Sequence, residues 1–228
     1  MNKVTDSPLI SVLLSVYNDE KNIKKSIDSI LLQSYKNIEL LVMDDCSVDR
    51  TYEILNEVND RRVKIFRNKE NQGLTKSLNT LIENSCGKIL ARQDSDDISL
   101  PTRLEVQYRH LLKYQLDACT TRAYVKNSKR SIPRYSHFLP IRFVVRFKNP
   151  FIHGTLMVKK NVLQDLGLYD ENIKYAQAYK LFLDLLKNNY KIKVLKNKLY
   201  VLNMENNIST LKKEEQNYFF KKIKKENL

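Results

Sequence analysis

Glycine, proline and cysteine are scarce in this sequence. Its 228 residues include four glycines, five prolines, three cysteines and no tryptophan. Such low glycine and proline content excludes a linker-rich or disordered chain. Cys46, Cys86 and Cys119 are far apart and show no paired spacing, which argues against a disulfide framework and against a zinc site. The same usage favours a reducing compartment.

Long apolar runs are missing as well. The chain begins with a polar stretch, and the apolar run that follows is too short for a signal peptide or a membrane span. We therefore expect a cytoplasmic protein, with peripheral contact at the inner membrane left open.

Positive charge is in excess. Lys and Arg number 40 against 26 Asp and Glu, which gives a net charge of +14. Because the lysines are spread along the chain, the excess indicates either an anionic partner or only a bias in composition. One concentrated patch, residues 219–225, has apolar residues between its lysines; it favours either contact with an anionic membrane or an ordinary exposed helix end. No motif that reads nucleic acid accompanies the lysines, so we expect no nucleic-acid partner.

A strand–helix repeat fills the first hundred residues. Apolar runs predict four buried strands, at residues 9–16, 38–43, 63–66 and 88–91. Helical spacing predicts helices at residues 19–32, at 51–58 and from 74 to Gly87, which we expect to end the third helix. The repeat predicts an α/β domain with a parallel sheet and helices on both of its faces.

The second half is less regular. Its patterns predict helices at residues 104–114, 141–147, 178–186 and 211–225, strands at 118–125, 155–158 and 193–202, and an exposed loop at 126–140. No internal repeat and no strong boundary interrupts the chain, so we expect a single domain over residues 1–228.

An acidic loop follows the fourth predicted strand. It contains Asp94, Asp96 and Asp97, and Ser99 with Pro101 predicts the start of a helix just after it. Ligands of open α/β sheets bind at the carboxyl ends of the strands. Aspartates separated by one small residue can converge on Mg²⁺ or Mn²⁺. A solvated acidic turn is the alternative for such a triplet taken alone.

Two further polar loops favour a binding site. Tyr17 and Asn18 follow the first predicted strand, and Asp44 and Asp45 follow the second. In one parallel sheet all three loops lie at the same edge.

Several motifs, taken in order, resemble those of the family 2 glycosyltransferases. They are SVLLSVYN (11–18), SILLQSY (29–35), ELLVMDDCSVD (39–49), NQGL (71–74) with Asn79, ARQDSDD (91–97), NPFIH (149–153) and LYDE (168–171). The resemblance implies the GT-A fold, a single Rossmann-like α/β domain with a mostly parallel central sheet flanked by helices. It also implies a nucleotide-sugar-binding half at residues 1–100, an acceptor-side half at 101–210 and a basic C-terminal helix at 211–228.

The resemblance implies a role for each matched residue. The nucleotide sugar would be contacted by Ser15, Val16, Tyr17, Asn18, Asp45, Asn79, Asp94 and Ser95. Tyr17 would lie against the uracil ring. Asp94 and Asp96 match the DXD motif, which would hold Mn²⁺ or Mg²⁺ at the diphosphate. His153 would be either a catalytic neighbour of that group or a packed polar residue, and Asp97 either touches the metal or only begins the next helix.

One position departs from the family pattern. Inverting members use a carboxylate at the start of a helix as general base, and the matching stretch, residues 176–182, has Ala178 in its place. A methyl group cannot accept a proton. Three accounts stay open: a deliberate Asp→Ala replacement, which the isolated character of the change favours; a natural loss; or service by another carboxylate, Asp170, Glu171 or Asp184.

The implied function is the metal-dependent, inverting transfer of a hexosyl group from a nucleotide sugar, a UDP-sugar, to a glycan or lipid-linked acceptor. Its setting would be the assembly of a surface polysaccharide or lipopolysaccharide. The alternative is a catalytically inactive relative that only binds the nucleotide sugar. A nucleotidyltransferase is disfavoured because no Gly-rich loop with Arg and Lys follows the first strand.

Overall fold

One sheet organises the fold, and its strands alternate with helices over most of the chain. The computed structural model describes residues 7–173, 175–205 and 212–227. The boundary predicted between residues 210 and 211 lies outside these ranges.

The strands and helices follow the predicted order closely. The strands are β1 (Ile10–Val16), β2 (Ile38–Asp44), β3 (Val63–Arg67), β4 (Ile89–Asp94), β5 (Ile98–Ser99), β6 (Ala118–Val125), β7 (Ser131–Ile132), β8 (Met157–Lys159) and β9 (Ile192–Leu202). The helices are α1 (Ile23–Leu31), α2 (Thr51–Asn56), α3 (Leu74–Glu83), α4 (Arg103–Lys113), α5 (Ile141–Val144), α6 (Lys160–Asp165), α7 (Gln177–Lys187) and α8 (Lys213–Asn227), with 3₁₀ turns at Ser136–Phe138 and His153–Thr155.

The sheet is mixed, but most of its strands run in one direction. Its order is β3-β2-β1-β4-β8-β6-β9-β5, with β7 beside β6. The β1–β4 strands pair in parallel, β8 is antiparallel to both β4 and β6, and β6 is parallel to β9. Six of the nine strands in the described ranges therefore share a direction: β1, β2, β3, β4, β6 and β9. This confirms the predicted single α/β domain with a mostly parallel sheet.

Helices cover both faces of the sheet, as predicted. In β1, Leu13 faces a cluster that includes residues of α3, α6 and α7, whereas Val12 and Leu14 face one with residues of α1, α2 and α4. This alternation follows from the period of two along a strand. The near-continuous apolar runs are thus explained by burial on both sides. Among the described helices, none combines the length and apolar character needed to cross a bilayer.

The predicted helix start at Ser99 is wrong. Ser99 lies in β5, and its buried hydroxyl donates to Gln93 Oε1 over 2.6 Å. The helix α4 begins four residues later, at Arg103, with Thr102 before it. The side chain that suggested a cap therefore serves a tertiary contact instead.

The predicted role of Gly87 is also wrong. The helix α3 ends at Glu83, and Asn84 is its C-cap residue. A Cβ on Gly87 would lie 2.6 Å from both Leu9 O and Ser11 Oγ. Gly87 is therefore required by close packing at the amino end of β1, and it does not end the helix.

Candidate functional site

Three strands end together at one edge of the sheet. Ser15 of β1 is in register with Asp94 of β4, and Val16 is in register with Asp44 of β2. The loops after these strands therefore start side by side, as predicted from the parallel repeat. We call this edge, with the loops at residues 17–22, 45–50 and 94–97, the carboxyl edge.

Asn18 joins the first two loops of the carboxyl edge. Its backbone N–H donates to Ser47 Oγ over 2.9 Å, and its side-chain oxygen accepts from the Val48 N–H over 2.8 Å. Asn18 has a φ of 52°, a left-handed conformation that Asn tolerates better than most residues. The neighbouring Tyr17 is 49% exposed, so its ring is available to a ligand.

Asp45 is buried and holds the loop that leads into α3. One carboxylate oxygen accepts from Asn68 Nδ2 over 2.7 Å and from the Gln72 N–H over 2.9 Å, and the other accepts from the Gly73 N–H over 2.8 Å. Asp45 therefore fixes the loop at residues 68–73 next to the end of β2. Its predicted contact with the base or ribose stays a prediction.

The aspartate loop begins inside the sheet. Asp94 is the last residue of β4 and forms an ion pair with Arg92, which is on the same face two residues earlier. Ser26 donates its hydroxyl to Asp94 O over 2.8 Å. The Ser95 hydroxyl donates to Asp19 Oδ2 over 2.7 Å, which ties the aspartate loop to the loop after β1.

Asp96 is a strained carboxylate. Burial, followed by the charges of Asp94 and Asp19, raises the pKa of Asp96 to about 6. In the described part of the chain, no other residue donates a hydrogen bond to its carboxylate. Three negative groups thus meet at this point, and the charge of Lys126 offsets only a small part of their repulsion.

This donor set fits a hard divalent cation. Mg²⁺ and Mn²⁺ prefer carboxylate oxygens and commonly take only one or two from the protein, with phosphate oxygens completing the set. Across the described residues no group of three His, Cys, Asp or Glu side chains is arranged to hold a metal alone. Asp96 with Asp94 would therefore hold such an ion together with a phosphate-bearing ligand.

Asp97 is placed differently from Asp96. It is buried, and one of its oxygens accepts from the Asn203 N–H over 2.6 Å. Burial and the charges of Asp94 and Asp96 raise its pKa well above the usual range. Asp97 thus fixes the end of β9 to the aspartate loop, and it neither begins a helix nor faces a ligand.

The turn that contains His153 and Gly154 lies against the aspartate loop. A Cβ on Gly154 would collide with Asp94 Oδ2 and would lie 2.5 Å from the Tyr200 hydroxyl, so this turn packs directly on the aspartate loop. The His153 ring is hydrogen-bonded to the Tyr169 hydroxyl over 2.7 Å. Burial and then the charge of Arg92 hold the pKa of His153 well below its usual range, so the ring is neutral at pH 7.

Two buried residues that were not among the predicted site residues support the loop. Arg103 of α4 donates to Arg92 O over 2.9 Å and to Gly154 O over 3.3 Å. The Asp94 N–H donates to the hydroxyl of Tyr200, in β9, over 3.1 Å. Neither has a local signal in the sequence, because both contacts join distant parts of the chain.

Asp19 and Arg92 could have been found from the sequence. Asp19 directly follows Tyr17 and Asn18 in the loop after β1, and Arg92 precedes Asp94 by two residues in a strand. A spacing of two places side chains on the same face of a strand.

Two of the predicted nucleotide contacts have side chains that are engaged inside the protein. The Asn79 amide donates to Tyr169 O and to Glu171 Oε1, and it accepts from the Tyr169 N–H, all over 3.0 Å. The Val16 side chain is buried in the core, and its carbonyl accepts from the Asp45 N–H over 2.8 Å. The predicted contacts of both residues with the nucleotide sugar stay predictions.

Ala178 lies in the first turn of α7. The next residue, Tyr179, donates its hydroxyl to Val145 O over 2.8 Å, and Phe182 stacks on Phe151 with ring centroids 4.1 Å apart. Phe151 is two residues before His153. The start of α7 is thus connected to the aspartate loop through the segment at residues 145–154.

The three carboxylates named as substitutes for a base are engaged elsewhere. Lys180 donates to both oxygens of Asp184 over 2.6 Å, and Asn79 donates to Glu171. Asp170 accepts from the Asn172 N–H over 2.9 Å. All three line a cleft of about 450 Å³ that has no residue of the aspartate loop in its lining.

Comparisons with known proteins agree with this geometry. The family model described as Glycosyl transferase family 2 matches residues 11–169. EpsE, a glycosyltransferase by name from Bacillus subtilis (strain 168), is 36% identical over 172 residues, which cover 73% of this chain and 62% of EpsE. The Escherichia coli protein WfgD, named as a UDP-Glc:alpha-D-GlcNAc-diphosphoundecaprenol beta-1,3-glucosyltransferase, is 31% identical over 184 residues, covering 81% of this chain and 72% of WfgD.

Solved structures share the fold. S. aureus TarS 1-349 in complex with UDP superposes with a TM-score of 0.73 at 23% identity, covering 86% of this chain and 60% of that one. The mannosyltransferase PcManGT from Pyrobaculum calidifontis, in complex with GDP-Man and Mn²⁺, gives a TM-score of 0.72 at 20% identity, covering 93% and 61%. This chain thus spans about three fifths of the length of EpsE and of these structures. With a family model that matches most of its length and a sheet of this topology, the chain belongs to glycosyl transferase family 2 and has the GT-A fold.

Proposed function

We propose that this protein transfers a hexosyl group from a UDP-sugar to a glycan or lipid-linked acceptor, with inversion and with a divalent cation. The observation that carries the proposal is the carboxyl edge, where the Asp96 carboxylate lies beside Asp94 and Asp19 without a hydrogen-bond donor from another described residue, while the Tyr17 ring is exposed. Family membership supports sugar transfer. The names of WfgD and of the TarS complex, which mention UDP-Glc and UDP, favour a uridine nucleotide.

Each part of the site has a role in this proposal. Tyr17 stacks on the base, because an exposed ring at a strand end offers a flat apolar surface. Asn18 and Ser15 line the nucleotide pocket, and Ser95 adjoins it through its bond to Asp19. In this proposal residues 1–100 form the donor half and residues 101–210 the acceptor side, and α8 is a basic helix that follows them.

Asp96 and Asp94 are the residues that would hold Mn²⁺ or Mg²⁺. The ion would supply neutralisation of the negative charge that develops on the leaving diphosphate. The PcManGT complex, which contains Mn²⁺, supports this assignment. His153 is neutral, and it packs behind the aspartate loop without adding charge to it.

The acceptor side lacks a proton acceptor at the family position. Ala178 cannot take the proton of an attacking hydroxyl, and Asp184, Glu171 and Asp170 are bound to other groups. This observation favours a second candidate function, in which the chain binds a nucleotide sugar without turning it over. We expect a cytoplasmic location in either case.

Thermal unfolding with a panel of nucleotides tests the donor site. A ligand that binds only the folded form at a hundredfold excess over its Kd stabilises by about 2.7 kcal/mol. For a domain of this size that corresponds to roughly 5–10 °C in Tm. We expect UDP and one UDP-sugar to raise Tm with Mn²⁺ and to have little effect in EDTA, and we expect smaller shifts with GDP.

Two variants make the test specific. Asp96→Asn removes one proposed metal ligand, and we expect it to abolish the Mn²⁺-dependent part of the shift. Asp28→Asn is the matched control, because Asp28 is a half-exposed carboxylate on α1 that pairs with Lys24 away from the edge. If the nucleotides give no shift in the unsubstituted chain, or if both variants lose it equally, the proposed site is wrong.

A further inference from the structure

The second half of the chain contains a long stretch without any acidic residue. Residues 118–164 include ten Lys and Arg and neither Asp nor Glu. Seven of these cations fall in residues 126–148, which we call the cationic segment, and they equal half of the net charge of +14. In the ranges that the structure describes, none of the seven forms an ion pair. Their charge is therefore not neutralised by ion pairs, and only Lys126 lies close enough to Asp96 to lower the pKa of that carboxyl.

The cationic segment also carries exposed apolar side chains. Tyr135, Leu139, Phe143 and Phe147 are all more than half exposed, and Phe143 and Phe147 reach 56% and 65%. The rings of Phe143 and Phe147 adjoin each other with centroids 5.1 Å apart. Single exposed apolar residues are ordinary, but a cluster of aromatic rings on one surface indicates an interaction site.

The exposure follows from how α5 is anchored. Val144 and Val145 are buried, and Tyr179 of α7 donates to Val145 O. With these residues turned inward, Phe143 and Phe147 on either side of them must turn outward. The rings of Phe143, in α5, and of Phe147, just after it, are therefore held toward solvent by the burial of Val144 and Val145.

Further cations surround the rings. Lys224 Nζ of α8 lies 5.9 Å from the centroid of Phe147, and Lys196 Nζ of β9 lies 5.2 Å from that of Phe138. Arg134 lies over Tyr135 at 5.0 Å. Aromatic rings interleaved with Lys and Arg are typical of surfaces that lie in the headgroup region of an anionic membrane.

A second copy of the chain is a poor partner for this surface. A symmetric dimer would bring the same patch against itself, and so seven cations without ion-pair partners in the described residues against seven more. An anionic bilayer instead offers negative headgroups to the arginines and an apolar layer to the rings.

We propose that the cationic segment docks the protein on an anionic lipid bilayer, with Phe143 and Phe147 inserted among the headgroups. The surface adjoins the acceptor side, since Val145 is bonded to the residue after Ala178. Docking there would bring a lipid-linked acceptor to the start of α7. This last step rests on the proposed function; the docking itself does not.

Binding to lipid vesicles tests the proposal on the full chain. We expect co-sedimentation with phosphatidylcholine vesicles containing 30 mol% phosphatidylglycerol, and at least tenfold weaker binding to pure phosphatidylcholine. Replacing both Arg142 and Arg146 by Gln should weaken binding about 30-fold, at roughly fivefold for each basic residue. The pair Phe143→Ser and Phe147→Ser should weaken binding as well. Because it removes no charge, it should leave the dependence of vesicle binding on salt concentration unchanged.

Matched controls separate the segment from general charge and hydrophobicity. Lys221→Gln with Lys222→Gln removes two exposed cations from α8, and Leu32→Ser with Leu112→Ser removes two exposed apolar side chains elsewhere. Both controls should bind vesicles within threefold of the unsubstituted chain. Equal losses in the α8 control would place the contact on α8 and overturn the proposal.

Other outcomes also decide the matter. The proposal is overturned if the chain does not bind the anionic vesicles. It is also overturned if light scattering shows a dimer that dissociates when Phe143 and Phe147 are replaced. It is overturned too if these variants lose binding to a polynucleotide but keep binding to vesicles. The Tm of every variant, measured without ligand or vesicles, reports its folding, and the UDP–Mn²⁺ shift in Tm tests the donor site separately. Vesicle binding without that shift would reject the proposed function and leave the docking surface standing.

Discussion

The two halves of the sheet contribute to the same site by different means. In β1 to β4 the strands are parallel, so their loops arrive at the carboxyl edge in register. In the second half the strand directions are mixed, and the contributions to the site come from a turn at Gly154, a tyrosine in β9 and the buried Arg103. The loops of the first half follow from the regular strand–helix repeat, whereas the second half contributes through individual tertiary contacts.

The halves also differ in where charge is placed. The first half concentrates carboxylates in a partly buried loop, whereas the second half contains the cationic segment, whose seven Lys and Arg form no ion pair among the described residues. The proposed donor site depends on the first of these features, and the proposed docking surface depends on the second.

The largest expected effect concerns the acceptor side. Restoring a carboxylate with Ala178→Asp should raise transfer from a UDP-sugar to a polyprenyl-diphosphate-linked sugar by about 10²–10⁴-fold, because a general base then takes the hydroxyl proton. Release of UDP, followed with and without acceptor, measures it. Ala178→Asn is the control, since an amide of the same shape accepts no proton at neutral pH. Equal rates for the two variants would show that the second half places its base elsewhere.

Two glycines sharpen the comparison between the edges of the sheet. Gly154→Ala would push a methyl group into Asp94 and Tyr200, and Gly87→Ala would push one into the backbone of Leu9 at the opposite edge. Each should lower the free energy of unfolding by about 1–3 kcal/mol through overpacking.

The affinity for UDP–Mn²⁺ distinguishes the two glycines. It should fall about tenfold in Gly154→Ala, because the Asp94 carboxylate is displaced, and stay unchanged in Gly87→Ala. Calorimetric titration of both variants, together with denaturant unfolding, provides the numbers. Loss of affinity in Gly87→Ala alone would contradict the assignment of the site to the carboxyl edge.

The electrostatic strain at Asp96 predicts a dependence of stability on pH. Burial and the neighbouring carboxylates raise the pKa of Asp96 from its ordinary value of 3.8 to about 6 in the folded protein. Between these values the unfolded chain releases a proton that the folded protein keeps, so the free energy of unfolding falls as pH rises from about 4 to 6. Above pH 6 the full penalty, on the order of 3 kcal/mol, remains.

Asp96→Asn tests this dependence without metal. In EDTA the variant should gain stability relative to the unsubstituted chain as pH rises from 4 to 6.5, and Mn²⁺ with UDP should reverse the order at pH 7. Urea unfolding at several pH values measures the difference. A difference that does not vary with pH would show that Asp96 is not strained in solution.

The smallest expected effect concerns the base-binding side of the first half. Tyr17→Ala should weaken UDP binding by about 1 kcal/mol, the lower end of the range for stacking on a base. Stability should change by less than about 0.5 kcal/mol, because the ring is half exposed. Tyr17→Phe, which keeps the ring, should bind UDP like the unsubstituted chain, and a loss there would assign the contact to the hydroxyl instead.

The sequence allowed most of the first half to be predicted. Apolar runs and helical spacing are local signals, and they located β1 to β4 within a few residues. The parallel repeat then predicted that Tyr17, Asn18, Asp45 and Asp96 lie at one edge. The shared edge follows from topology alone, which explains why this part of the prediction is confirmed.

The remaining details depend on contacts between distant residues. Nothing near Arg103 or Tyr200 in the sequence indicates that they meet Asp94. Ser99 has the composition of a helix cap, yet a buried bond to Gln93 takes its hydroxyl. Asn79 matches a family motif, but its side-chain amide donates hydrogen bonds to Tyr169 O and Glu171 Oε1. In each case a tertiary hydrogen bond overrides the local preference.

The position of β8 has a consequence for any attempt to divide this protein. This three-residue strand is hydrogen-bonded to β4 on one side and to β6 on the other. A fragment that stopped at residue 100 would leave the apolar β4 as a bare border, free to recruit strands from neighbouring molecules. The aspartate loop also depends on Tyr200 and Asn203, so expression trials should keep the chain at least through residue 203.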